Sequence, residues 1–589
     1  MFPPLYPLGP HRKLRWDDAV QFLGVSSPYN VRTSKTHPRR PEAQHNRLML
    51  QAGLMMDRPL LICDVIEHAA GQFGDTEIVS RETHGGIFRY NYARCKARAQ
   101  QLANALAQLG LGAGTSVGSV AMNNHRHLEA YFAVSGSGMI MHTCNPRLHP
   151  PQLIFVINHA EDGALLFDPS FAPLIESIAP QCPRVKHWIC LSDAENMPNM
   201  GSMRRVLCYE DVIASESAEF LWPQFDERTA AALCYTSGTT GNPKGALYSH
   251  RSIVLNALSA CLPGLISLSP RDTVLPAVPM FHVNGWCIPY AAPIGGAKLV
   301  LPGQRLDAPG LYELLESERA TVTAGVPTIW IALMRHVEQG GLPLSALKRI
   351  LVGGSAMPPS LIAKFDQEFG IEVRHAWGMT ETVAIATMCT LNSRQAAMPC
   401  AERHAITAKQ GKSAFGVEIK VVDESGAALP RDGQSQGHLM VRGQWTIAGY
   451  YKAEDTALID GWLPTGDIAT IDAQGLMQIR DRAKDLIKTG GEWISSIDLE
   501  CAAMGHPAVA MAAVIGVKHP RWEERPLLFI VRKPDTSLEC DEILAFLAQR
   551  VAKWWIPDGV IFLDSLPVGG TGKVQKATLR QQYGSEFSS

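Results

Sequence analysis

Tyr235-Thr-Ser-Gly-Thr-Thr-Gly-Asn-Pro-Lys-Gly245 is a Ser/Thr/Gly-rich loop closed by Lys244, and its reading decides the fold. An apolar run, Ala231 to Cys234, reads as a strand before it, and a helix begins near Ser249 after it. Such a loop fits around a polyphosphate: glycines let the backbone come close, while amides, hydroxyls and one ammonium face the negative oxygens. It is not a Walker A loop, because Gly238 and Gly241 stand three apart and Lys244 precedes Gly245 rather than following a second glycine. Taken alone, a Gly/Ser/Thr loop is more often a plain connection, so the rest of the chain has to support the reading.

With 589 residues, 46% of them apolar, the chain can fill the cores of several domains. A net charge of −2 gives no electrostatic ground for nucleic-acid binding. Its 13 cysteines, an odd number with no Cys-x-x-Cys pair, read as reduced and mostly buried thiols rather than as disulfides or a structural zinc site. The stretch 273–297 is free of Asp, Glu, Lys and Arg, but Pro276, Pro279, Pro289 and Pro293 forbid a continuous membrane helix, so it reads as buried. The first 54 residues carry seven prolines, eight Lys/Arg and three Asp/Glu without periodicity, and read as a disordered extension. Pro3, Pro4, Pro7 and Pro10 argue against the amphipathic helix of a transit peptide, and there is no secretory signal.

From Met55 the pattern is regular. Leu102, Leu106 and Leu109 share one helical face that stops at Gly110. Strand-like runs at 116–122, 163–168 and 186–191 alternate with helical stretches at 125–135, 151–159 and 171–178. This alternation predicts parallel sheets covered by helices. The region 417–478 is richer in short strands and turns, such as Asp423-Glu-Ser-Gly426 and Asp460-Gly461. After Asp481 the pattern is mixed, with one helix over 499–504 and strands at 509–517 and 527–531.

The eleven-residue loop resembles the phosphate loop of the AMP-forming acyl-CoA synthetase superfamily, and further clusters follow in the order that family requires. They are Pro279-Met-Phe-His-Val-Asn-Gly-Trp286, Leu351-Val-Gly-Gly-Ser-Ala-Met-Pro358, His375-Ala-Trp-Gly-Met-Thr-Glu381, Trp462-Leu-Pro-Thr-Gly-Asp467, Asp481-Arg-Ala-Lys-Asp-Leu-Ile-Lys-Thr-Gly-Gly-Glu-Trp-Ile-Ser495 and Gly570-Thr-Gly-Lys-Val-Gln-Lys576. Within the superfamily the set is most similar to medium- and long-chain fatty-acyl-CoA synthetases and to 3-methylmercaptopropionyl-CoA ligases.

The resemblance implies an α/β fold: a large N-terminal adenylate-forming domain with helix-covered sheets and a short β-rich subdomain, plus a small mobile α+β C-terminal cap. The implied division is an extension over 1–54, the AMP-binding adenylation domain over 55–480, a hinge over 481–486 centred on Lys484, and the cap over 487–589. The implied activity is ATP-dependent ligation of an apolar carboxylic acid, a medium- or long-chain fatty acid first, to coenzyme A through an acyl-adenylate, releasing AMP and pyrophosphate. Ligation of 3-methylmercaptopropionate or another short acid is the alternative within that chemistry. An inactive nucleotide- or acyl-binding sensor is the alternative outside it, weakened because Lys573, Glu381 and Asp467 are all present.

By the same resemblance, Thr236, Ser237, Gly238, Thr239, Thr240, Gly241 and Lys244 receive the ATP phosphates. Gly354, Ser355, His375, Ala376, Trp377 and Thr380 bound the adenine and the acyl phosphate, with Trp377 stacking on the base. Asp467 and Arg482 hold the ribose. Magnesium is expected on Glu381 and Thr236, hard oxygen ligands of the kind that ion prefers. His282, Val283, Trp286 and Gly354 line the acyl pocket, with His282 near the carboxylate and Trp286 as the gate to the chain tunnel. Lys573, Lys244, His282 and Glu381 form the catalytic set, and Lys484, Lys488 and Trp493 serve the exchange of the cap toward CoA. A cytoplasmic homodimer without a transmembrane segment and without nucleic acid is also implied, with organellar import through the extension left open.

Four positions depart from the family's pattern. Ser413 and His438 replace a usual Pro and Glu, Gly285 a common Ala, and Ala384 a common Pro. The last two lie by the pocket and leave the acid's length open.

Overall fold

The computed structural model describes residues 53–201, 203, 205–236, 242–490, 492–569 and 572–585. The expected extension over 1–52, the phosphate-loop residues Ser237, Gly238, Thr239, Thr240 and Gly241, and Gly491, Gly570 and Thr571 lie outside the described residues. Residues 53–57 are exposed.

The body holds two largely parallel sheets. One has seven strands in the order Val206–Cys208, His187–Cys190, Ala164–Phe167, Ser116–Val120, Ile140–Thr143, Ala230–Tyr235 and Gly245–Ser249; only the last pairing is antiparallel. Its central strands are buried along their whole length, which is why they read as continuous apolar runs rather than as alternation. The other sheet has nine strands, with the parallel core Glu372–Trp377, Arg349–Val352, Val322–Gly325, Thr273–Pro276, Lys298–Leu301 and Glu77–Arg81. Helices cover both. In the helix Tyr92–Gln108, Asn91 caps the start by accepting from the Arg94 amide, Leu102 and Leu106 are fully buried, and Gly110 takes φ 80° just past the end.

The stretch 273–297 is buried, as expected, but broken into the strand Thr273–Pro276 and the helices Val283–Trp286 and Ile288–Gly295. Among the described residues no helix is long and apolar enough to cross a membrane. A four-stranded antiparallel sheet follows: Val417–Val422, Gly437–Gly443, Leu463–Ile471 and Met477–Arg482. Both predicted turns are there; Gly426 has φ 87°, and Asp460 and Gly461 take 49° and 77°.

The helix begins beside Ser249 as expected, a strand not expected precedes it, and two further local readings change. The segment after the phosphate loop is a strand, Gly245–Ser249, before the helix His250–Ala260, for which Ser249 is the cap. Backbone pairing with Ala230–Tyr235 decides this, and no local propensity announces it. Among its described residues the C-terminal part has three α-helices rather than one: Ser496–Met504, Cys540–Ala548 and Lys576–Tyr583. The expected loop around Lys488 and Trp493 is a short hairpin, Ile487–Thr489 with Glu492–Ile494. The long strands Val509–His519 and Glu523–Arg532 complete this small α+β part, whose apolar cores around Val514 and Phe529 share no residue with those of the body.

Candidate active site

Most of the site residues sit where open α/β sheets bind ligands, beyond the carboxyl ends of their strands. Trp377 ends Glu372–Trp377, Gly353 and Gly354 follow Arg349–Val352, and Val326 follows Val322–Gly325. Asp467 is opposite Arg482 in the antiparallel sheet, a register that sets the two side chains together. The Asp467 carboxylate accepts the Trp377 indole N–H at 2.8 Å and pairs with Arg482 Nε at 2.9 Å. Only 3% of Asp467 is exposed, and burial pushes its carboxyl up against the opposing pull of Arg482. Each oxygen keeps acceptor capacity for a further donor.

Lys573 reaches this centre from the C-terminal part. Thr328 donates to the Gly572 carbonyl at 3.1 Å, and the Gly569 amide to the Lys573 carbonyl at 2.8 Å, fixing the segment that carries it. Gly354 takes φ 84°, and a Cβ there would stand 3.0 Å from Lys573 Cε and 3.2 Å from Val326, so the lysine lies along bare backbone. Burial, with Arg482 adding to it and Asp467 opposing, brings the Lys573 ammonium down to about 8. His282 is lowered to about 3 by burial and by Lys573, so its imidazole is neutral throughout the working range.

On the phosphate-loop side, the Thr236 amide donates to the Lys244 carbonyl at 2.9 Å. Tyr248 donates its hydroxyl to the Thr380 carbonyl at 2.6 Å, and Ile447 its amide to the Glu381 carbonyl at 2.9 Å. The first bond ties the residue before Glu381 to the strand that leaves the loop, and the second holds Glu381, 6% exposed, to the segment at 447. Its Oε1 accepts from the Tyr450 hydroxyl at 2.7 Å; among the described residues its other oxygen has no hydrogen-bond donor. A buried carboxylate with one such oxygen suits a hard cation such as magnesium.

The pocket wall is strained. Val283, Asn284, Gly285, Trp286 and Cys287 have φ of 46°, 48°, 63°, 54° and 61°, a left-handed turn that costs roughly 1–2 kcal/mol for each residue other than glycine. Gly285 is the member that takes it freely, which gives a backbone reason for its departure from alanine. Cys234 holds the turn by donating its thiol to Asn284 Oδ1 at 2.8 Å. The Trp286 ring lies over Gly353, where a Cβ would come within 3.0 Å of it. Ala384 has φ 83°, an angle closed to proline, so the loop after Glu381 takes a path the common residue would forbid. A cavity of about 380 Å³ runs from His282 and Trp286 past Val278, Val326 and Gly572 toward Arg147.

The expected neighbours His375 and Ser355 meet, His375 Nε2 facing the Ser355 carbonyl at 3.4 Å. His375 turns Nδ1 to the Ala408 carbonyl at 2.9 Å, and burial lowers its imidazole to about 4. Ala376 is buried in the core beside it. Among the described residues Lys488 and Trp493 contact each other, the ammonium 5.0 Å from the ring centroid, and not the Asp467–Lys573 centre. Lys484 is exposed in the turn 482–485, between Ala483, whose amide donates to the Gly466 carbonyl, and Asp485, which pairs with Arg580. Sequence reasoning missed Tyr248, Thr328 and Tyr450; each acts through a contact remote in the chain, and no local spacing signals it.

The family model described as AMP-binding enzyme matches residues 66–451, and that of the AMP-binding enzyme C-terminal domain matches 498–573. The 3-methylmercaptopropionyl-CoA ligase of Ruegeria lacuscaerulensis is 47% identical over 532 residues, covering 90% of this chain and 98% of that protein. The medium-chain-fatty-acid–CoA ligase of Ectopseudomonas oleovorans is 46% identical over 534 residues, covering 90% and 97%. Among solved structures, an anthranilate-CoA ligase in complex with anthranoyl-AMP superposes with a TM-score of 0.80 at 25% identity, covering 90% of this chain and 99% of that one.

Proposed function

Since the chain belongs to the AMP-binding enzyme family and is an acyl-CoA ligase working through an acyl-adenylate with ATP and CoA, we propose that its acid is a medium- or long-chain fatty acid and that Lys573 is its adenylating lysine. The observation that carries the second part is the Lys573 side chain lying along Gly354 beside Asp467 and Arg482.

A carboxylate is a poor electrophile, so it is first made the nucleophile. Its oxygen attacks the α-phosphorus of ATP, and pyrophosphate leaves. Charge grows on the α-phosphate, where the Lys573 and Lys244 ammonium groups and the loop amides oppose it. Glu381 and Thr236 would hold magnesium, which neutralises polyphosphate charge. Asp467 accepts both ribose hydroxyls, with Arg482 beside it. Neutral His282 orients the carboxylate by hydrogen bonding. The thiol of CoA then attacks the acyl carbonyl, loses its proton, and AMP leaves. The cavity from His282 to Arg147 suits the pantetheine arm. Gly572 forms part of its wall, so turning the cap about Lys484 takes Lys573 out and reshapes the channel, with Lys488 and Trp493 brought toward CoA.

The His282–Trp286 wall carries no ionised group, which favours an acid charged only at its carboxylate. A short thioether acid is the second reading, favoured by the 47% identity to a 3-methylmercaptopropionyl-CoA ligase. Pyrophosphate release with a panel running from 3-methylmercaptopropionate through octanoate to palmitate separates them. A clear optimum at the thioether acid would replace the fatty-acid reading. Trp286→Ala is expected to move that optimum to longer chains. Each buried methylene contributes about 0.8 kcal/mol, so room for two more carbons changes relative specificity by roughly tenfold. A length profile superimposable on the wild type would remove Trp286 from the channel.

The lowered Lys573 value makes a pH signature. The cation is disfavoured in the docked posture, so docking without nucleotide strengthens as pH rises from about 8 toward the lysine's usual range. Adenylation needs the ammonium, so kcat/KM for ATP in pyrophosphate exchange should fall above pH about 8. Bound phosphates raise the ammonium again, and kcat should hold its plateau to higher pH. Profiles of kcat and kcat/KM that break together would contradict this.

A further inference from the structure

We infer that Tyr450 is a positioning residue joining the two halves of the polyphosphate site, aiming the Glu381 carboxylate with its hydroxyl and holding the Lys244 ammonium on its ring face. This rests on the ligase reading above. The hydroxyl donates to Glu381 Oε1 at 2.7 Å, and Lys244 Nζ lies 5.0 Å from the ring centroid. The backbone on either side of Tyr450 is pinned to the same two elements. The Ile447 amide donates to the Glu381 carbonyl at 2.9 Å, and the Tyr451 amide to the Gly245 carbonyl at 2.8 Å. Residues 447–451 are thus a strap laid across both, and one side chain touches the functional group of each.

The chemistry follows from the side chain's two parts. An O–H bond to a carboxylate is charge-assisted, and engaging Oε1 leaves the other oxygen directed by it. Where a single carboxylate carries the metal, its outer partner sets the ligand's orientation. The ring's negative face attracts the exposed ammonium and keeps it extended over the site.

Titration calorimetry with a non-hydrolysable ATP analogue, in Mn²⁺ and separately in EDTA, tests this on the full chain. Tyr450→Phe keeps the ring and loses the hydroxyl. It should weaken analogue binding in Mn²⁺ by about tenfold, the lower end of what losing an outer partner costs a metal site, and leave binding in EDTA unchanged. Tyr450→Leu loses both and should also weaken binding in EDTA by roughly two- to fivefold. Titrations of Tyr450→Phe that match the wild type in Mn²⁺, or a Tyr450→Phe as weak as Tyr450→Leu in EDTA, would overturn the inference. A wild type that binds the analogue with this pattern but activates no acid would sink the ligase reading and leave the role of Tyr450 standing.

Discussion

Lys573→Ala should slow acyl-adenylate formation by roughly 10²–10³-fold while leaving CoA transfer from supplied acyl-adenylate near the wild-type rate. The expected size follows from removing one positioned charge from a phosphate that gains charge as the bond to pyrophosphate breaks. The asymmetry follows from position. Lys573 belongs to the C-terminal part and meets the centre through Gly572 and Thr328, contacts that a turn of that part breaks. Pyrophosphate exchange reads the first half-reaction, and thioester formation from synthetic acyl-adenylate reads the second. Equal losses in both would show that Lys573 serves the nucleotide generally, and the proposed exchange of postures would have to go.

Asp467→Ala should damage both half-reactions, with affinity for ATP and for the acyl-adenylate each falling by about 10²-fold. Two hydrogen bonds from ribose to a charged acceptor are lost, and such bonds contribute about 1.5–3 kcal/mol. Unlike Lys573, Asp467 sits on the strand Leu463–Ile471 with Arg482 in register on its neighbour, so a turn of the C-terminal part would leave this pair together. The variant also strips the Trp377 N–H of its acceptor and Arg482 of its partner, so the indole loses the bond that fixes its plane for stacking. Binding of AMP, followed by calorimetry, is the direct readout. AMP affinity within twofold of the wild type would place the ribose elsewhere. Together the two variants separate a group used once from a group used throughout.

The sequence alone determined the chemistry and its order along the chain. The phosphate loop, the Trp377–Glu381 cluster, Asp467 and the Gly-flanked Lys573 stood out through their resemblance to one family's motifs in one order, since each stretch alone would read as a turn, a cap or a solvated charge. The buried strands were legible because burial on both faces makes a continuous apolar run, and the helix ending at Gly110 because burial on one face imposes a period and glycine marks a left-handed stop. The strand Gly245–Ser249 was not, since hydrogen bonds to Ala230–Tyr235 create it. The short hairpin holding Lys488 and Trp493 escaped for the same reason.

Only the tertiary structure decided which distant groups meet. It laid Lys573 along Gly354, more than two hundred positions earlier in the chain, and set His375 between the carbonyls of Ala408 and Ser355. It also gave Gly285 and Ala384 a meaning as backbone angles, 63° and 83°, that side-chain comparison could not supply. Tyr450 shows the physical reason most plainly. A tyrosine has no local signature for bonding a carboxylate 69 positions away. Its role arises from the packing that folds residues 447–451 over the loop strand and Glu381 at once, and packing is a property of the whole fold rather than of any stretch of it.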